Sequence, residues 1–128
     1  MKRKLNDVRA IAQQAFDSLP ERFRRAAEGV VIRVEHWPDN ETLKTMNIAS
    51  VFGLLGLYHG VALPFKSVLD APTAADMVTL YRAPMIAYAR QTGEPLEDVV
   101  RHVLVHELGH HFGFSDEDME AIEAREDA

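Results

Sequence analysis

"HELGHHFGFSD", residues 106–116, places three histidines, a glutamate and an aspartate within eleven positions. Its spacing decides how the rest of the chain is read. On a helix, His106 and His110 share one face, one turn apart. Two imidazole nitrogens set that way can each lie about 2.0–2.1 Å from one Zn²⁺. Glu107 is turned about 100° from His106 around the helix axis. It stands outside that coordination shell yet within reach of a water at the metal, so the pattern divides into two ligands and one base. A catalytic zinc takes a third protein ligand and keeps one position open. His102 and Asp116 are the candidates. His102 shares the face of His106, but a straight helix sets it two turns from His110, which strains a row of three. Asp116 would lie about 9 Å beyond His110 if the helix ran on. Gly113 lets the chain turn back, because glycine takes positive φ without a Cβ penalty.

Working outward, the motif ends a helix expected over Pro95–Phe112. Pro95 opens it and Glu97 and Asp98 complement the dipole of its first turn. Gly113 suits its C′ position, and Ser115 with Asp118 resembles a capping box for a last helix, Asp116 to about Glu126. Near the N-terminus, Leu5, Val8, Ile11, Ala12, Ala15, Phe16 and Leu19 recur at helical spacing up to Pro20. "GVVIRVEHW" (Gly29–Trp37) reads as a strand followed by a Pro38-Asp39-Asn40 turn. Asp39–Met46 suits one or two helical turns, and Gly53–Gly60 a loop with apolar anchors. Met77–Tyr81 reads as a second strand, and Pro84–Gln91 as a short helix closed by Gly93. The expected class is α+β, a small sheet flanked by helices, with residues 1–128 forming one domain.

Composition narrows the chemistry. The chain has no cysteine, so only His, Asp and Glu can hold a metal. A net charge of −6 argues against a nucleic-acid partner, which selects for a basic face. The basic first residues lack an apolar segment of the secretory kind and read as a solvated first turn. The longest apolar run, Val51–Phe65, is too short to span a bilayer and contains His59 and Pro64. The expectation is a cytoplasmic protein with no membrane association.

His106, Glu107, His110, Gly113 and Asp116 match the H-E-x-x-H-x-x-G-x-x-D form of zincin metallopeptidases. "LLGLYHGVAL" (Leu54–Leu63), "TLYRAPM" (Thr79–Met85) and "VLVHELGHHFGFSDE" (Val103–Glu117) extend the match, so the chain resembles the small bacterial zincin-like metallopeptidases. The resemblance implies a minimal zincin-like fold whose active-site helix carries H-E-x-x-H. It implies one Zn²⁺ per chain held by His106, His110 and Asp116, with Glu107 as general base and a peptide or protein as substrate. In that scheme Glu107 takes a proton from the attacking water and passes it to the leaving amine. Tyr81, Tyr58 and His59 are candidates for contacts to substrate or transition state, and by fold analogy Met77–Tyr81 would edge the cleft. The related metzincins place a third histidine where this chain has Asp116, a change of charge more than of geometry. They also carry a methionine turn beneath the metal, a role Met119 does not fit.

The other histidines read more plainly. His102 is expected on the surface or supporting the ligands, His111 at solvent or the cleft rim, and His36 with Trp37 in packing at a strand end. Leu54, Leu55 and Leu57 are expected in the core. Two other functions compete. A metal-dependent endoribonuclease can space three ligands as H-x₃-H-x₅-H, with the same offsets; Glu107 and the acidic charge weigh against it. A non-catalytic zinc-binding module would need a protein group in the fourth position, and no obvious one is present.

Overall fold

A computed structural model describes residues 5–60 and 76–113. The fold is α+β. Two helices, α1 (Leu5–Asp17) and α2 (Glu21–Ala26), precede strand β1 (Val31–Glu35). A short helix α3 (Asn40–Thr45) and a 3₁₀ turn (Val51–Gly53) lead to β2 (Gly56–His59); β3 (Met77–Tyr81), α4 (Arg82–Thr92) and α5 (Leu96–His111) follow. The sheet order is β1-β3-β2, with β1 parallel and β2 antiparallel to β3.

Strand β3 is therefore central, not the cleft edge that fold analogy suggested; among the described strands that edge belongs to β2. Its sequence carries the reason. "MVTLY" lacks the polar alternation of a half-exposed strand, and Val78, Thr79, Leu80 and Tyr81 are all buried. Strand β2 replaces the loop expected over Gly53–Gly60. Gly56 is not a breaker there. A Cβ on it would lie 2.5 Å from Val103 Cγ1, so glycine lets the strand lie flush on α5. The short helix α2 was also not foreseen. Pro20 does more than end α1: it is the N-cap of α2, where its missing N–H costs nothing, and its carbonyl accepts from Phe23 and Arg24 N–H.

Other elements follow the sequence closely. Asp39 caps α3 by accepting from Thr42 N–H at 2.7 Å. Thr42's hydrogen bonds, from side chain and then backbone, hold the Asp39 carboxyl below the usual carboxylate range. Gly93 closes α4 in the left-handed conformation, φ 79°. Helix α4 begins at Arg82, two residues before the expected Pro84, which first-turn proline tolerates.

One helix face organises the core. Leu96, Val99, Val100, Val103, Leu104 and Leu108 recur at three- and four-residue steps along α5 and are buried. They meet Val8, Ala12 and Ala15 of α1, Val34, Val78 and Leu80 of the sheet, and Met85 of α4. Each fully buried leucine contributes about 1.5–3 kcal/mol. A smaller cluster of Leu43, Leu54 and Tyr81, with Ile48 and Leu57, covers the other sheet face. Leu54, Leu55 and Leu57 thus pack as expected. With one face of α5 committed to the core, the residues between are turned outward, beside β2.

Candidate metal centre

Between the buried rows of α5 stand His106, Glu107 and His110, each half-buried. Their donor atoms all lie within 4.8 Å of one another. The His106 and His110 rings meet edge-on, centroids 5.2 Å apart and planes 81° from parallel. Ligand atoms bound tetrahedrally to one zinc stand about 3.4 Å apart, from bond lengths near 2.0–2.1 Å. The donor atoms, all within 4.8 Å of one another, stand near that separation. The donor set, two imidazoles with a carboxylate beside them and no thiolate, fits a divalent ion of the zinc type. His102 lies one turn earlier, its ring stacked on His106 at 6.2 Å and exposed.

Strand β2 fixes the carboxylate. Leu55 C=O accepts from Tyr81 N–H, so odd positions of the strand turn their backbone groups to β3 and even positions turn theirs outward. The outward N–H of Tyr58 donates to Glu107 Oε1 at 3.1 Å. The flush approach of Gly56 to α5 makes this reach possible, since that position's missing Cβ lies beside Val103 and 3.4 Å from Glu107 Cγ.

Behind Glu107 lies a second polar group that the sequence reading misplaced. His111 was expected at solvent or the cleft rim; it is 2% exposed, on the face that carries Leu104 and Leu108. Its Nε2 stands 3.0 Å from Ala26 C=O, so that nitrogen carries the proton and donates. Its Nδ1 is 2.8 Å from the Tyr58 hydroxyl and 3.7 Å from Asp76 Oδ2. Burial, then the charge of Asp76 and a hydrogen bond to it, push the Tyr58 phenol up to about 12. The signal for His111 was the helical period itself: it lies three residues beyond Leu108 and seven beyond Leu104 on the same buried row. Asp76 and the Tyr58 amide had no local signal, because strand pairing and helix packing bring them in.

The three proposed contact residues part ways. Tyr58 reaches the cluster through its backbone N–H, while its hydroxyl turns to His111. Tyr81 is buried in the cluster on the sheet's other face, where burial, then the charges of Glu35 and Asp39, raise its phenol against the opposing Arg33. His59 is exposed at the end of β2, on the face turned from α5. Trp37 is not packed away at its strand end: 45% exposed, it meets Phe52 edge-on at 5.2 Å. The two border a cavity of about 310 Å³ with Arg82 and Ile86, which shares no residue with the His106 cluster.

Asp116, Met119 and the last helix expected over Asp116–Glu126 lie outside the described residues. The turn that would lead to Asp116 does begin as expected: Gly113 has φ 90° and its N–H bonds His110 C=O at 3.0 Å. No described helix is long and apolar enough to cross a membrane.

Comparison with known proteins supplies the context for this geometry. The model of a family described as zincin-like metallopeptidase matches residues 27–126, from before β1 to past the end of α5. No curated protein matches the chain.

Proposed function

The chain belongs to the zincin-like metallopeptidase family, and from that premise we propose that it is a zinc-dependent peptidase with Glu107 as its general base. The observation that carries the reading is the gathering of His106, Glu107 and His110 donor atoms within 4.8 Å on the outward side of α5. His106 and His110 are the ligands from the helix, and Asp116 is the third, delivered by the turn at Gly113. A zinc ion held there supplies Lewis acidity, making water a nucleophile near neutral pH and polarising the scissile carbonyl. The substrate is a peptide or protein, and residues 1–128 act as one domain.

The chain's own part is proton handling. Tyr58 N–H holds Oε1 of Glu107, which orients the carboxylate that receives the proton on one of its oxygens. The same oxygen then returns it to the leaving nitrogen, so the glutamate ends each turnover ionised. The anchoring donor is a backbone amide of a paired strand, which cannot swing away as a side chain can. That rigidity maintains the carboxylate within the short range that proton transfer needs.

The test is Glu107→Gln in a protein supplied with zinc. Glutamine retains the size and one acceptor oxygen but cannot take the proton. The variant binds zinc as the parent does and loses hydrolysis of a peptide library. Cleavage at the parental rate removes Glu107 from the mechanism.

A further inference from the structure

We propose that Tyr58 and His111 form a positioning pair that sets the orientation of Glu107 from inside the protein, through the backbone of β2. The proposal rests on the reading of Glu107 as proton carrier and names the residues that aim it. The chain of contact is continuous. Ala26 C=O, at the end of α2, accepts from His111 Nε2 at 3.0 Å. His111 Nδ1 meets the Tyr58 hydroxyl at 2.8 Å, and the Tyr58 N–H meets Glu107 Oε1 at 3.1 Å. Asp76, just before β3, stands 3.7 Å from the same imidazole nitrogen and is a hydrogen-bond partner of the Tyr58 hydroxyl.

The arrangement has a mechanical consequence. The Tyr58 amide takes no part in the β2–β3 ladder, so its direction follows the local twist of the strand. Both ends of Tyr58 are tied to α5, the hydroxyl at position 111 and the amide at position 107, one turn apart on the same helix. Residue 58 is thereby stapled across that turn. Slackening the phenol end lets the strand rotate, and the amide swings off the carboxylate. Because α5 itself is held by its buried leucines, the change falls on the Glu107 orientation and leaves the His106–His110 spacing alone. Neither residue touches the reacting atoms.

Two conservative variants of the full chain test this. Tyr58→Phe keeps ring and amide and drops the hydroxyl. His111→Gln keeps a donor able to reach Ala26 and drops the Tyr58 contact. Amide hydrogen exchange is read at positions 57, 58 and 59 together, alongside kcat and KM. Position 58 answers to Glu107, whereas 57 and 59 face β3. The proposal expects exchange at position 58 to rise about tenfold, the factor one ordinary hydrogen bond carries, with 57 and 59 unchanged. It also expects kcat to fall about ten- to a hundredfold with KM and zinc content held. Unchanged exchange at position 58 in both variants overturns it. So does a uniform rise at all three positions, which is the mark of a role in strand stability alone. The exchange result stands whatever Glu107→Gln does to hydrolysis, so the two readings fail separately.

Discussion

Gly56→Ala reports whether β2 needs to lie flush on α5. The backbone at Gly56 has no positive φ, so alanine fits its conformation. With room to spare, the substitution would stabilise the protein by about 0.4–1 kcal/mol by restricting the unfolded chain. The room is missing. The new methyl would stand 2.5 Å from Val103 Cγ1, and Val103 is itself buried in the core. Overpacking of this kind costs about 1–3 kcal/mol, so the sign reverses. At roughly 4 °C per kcal/mol for a domain this size, Tm falls by about 4–12 °C. Val103→Ala alone costs about 1.6 kcal/mol, from about 0.8 for each carbon lost. If the clash is the cause, the double variant is less damaged than the sum of the two, by about 1–2 kcal/mol. Urea denaturation of the four proteins measures the coupling. A Gly56→Ala protein as stable as its parent, or additive effects in the double variant, would refute the packing argument.

Further outcomes follow from the same geometry. Glu107→Gln lowers kcat about 10²- to 10⁴-fold in a peptidase assay, the range of a lost general base. Zinc raises the parent's Tm, by about 2.7 kcal/mol of stability when its free concentration is about a hundredfold above Kd, and does not raise that of His110→Ala, as thermal melts with and without zinc would show. The Tyr58 phenol, lifted from 10.0 to about 12, favours the folded state in its neutral form. That contribution is whole below pH 10 and is lost as pH rises through 12, so the parent's stability falls more steeply across that window than that of Tyr58→Phe, as denaturant titrations at stepped pH would reveal. His111→Ala takes the donor from the Ala26 carbonyl, while Asp76 still partners the Tyr58 hydroxyl, and costs about 1–3 kcal/mol in a chemical denaturation series.

Periodicity and punctuation make much of the fold legible in the sequence. The apolar rows of α1 and α5, the β-branched run of β1, Gly93 after α4 and Gly113 after α5 each encode their element locally. The H-E-x-x-H spacing does the same for the metal cluster, because two histidines four apart on a helix have no other way to face. What escaped was set by partners distant in the chain. Strand β2 is a tetrapeptide that begins with Gly56 and is followed by Gly60, and only the packing of Gly56 on Val103 explains why a glycine belongs in it. Neighbour order in the sheet is not written in "MVTLY", although its lack of polar alternation hints at a central place. His111 was judged by its polarity, when its place in the row of Leu104 and Leu108 had already put it inside. The Tyr58 amide has no side-chain signature, since every residue carries one.

The central claim is that His106 and His110 grip one ion with the carboxylate of Asp116. Metal analysis of zinc-supplied protein after desalting tests it most directly, on the parent beside His106→Ala, His110→Ala and Asp116→Ala. The account expects about one zinc per parent chain, as one site of this kind holds, and its loss from all three variants. Zinc retained at the parental level in any of them, with the fold intact by circular dichroism, would contradict it.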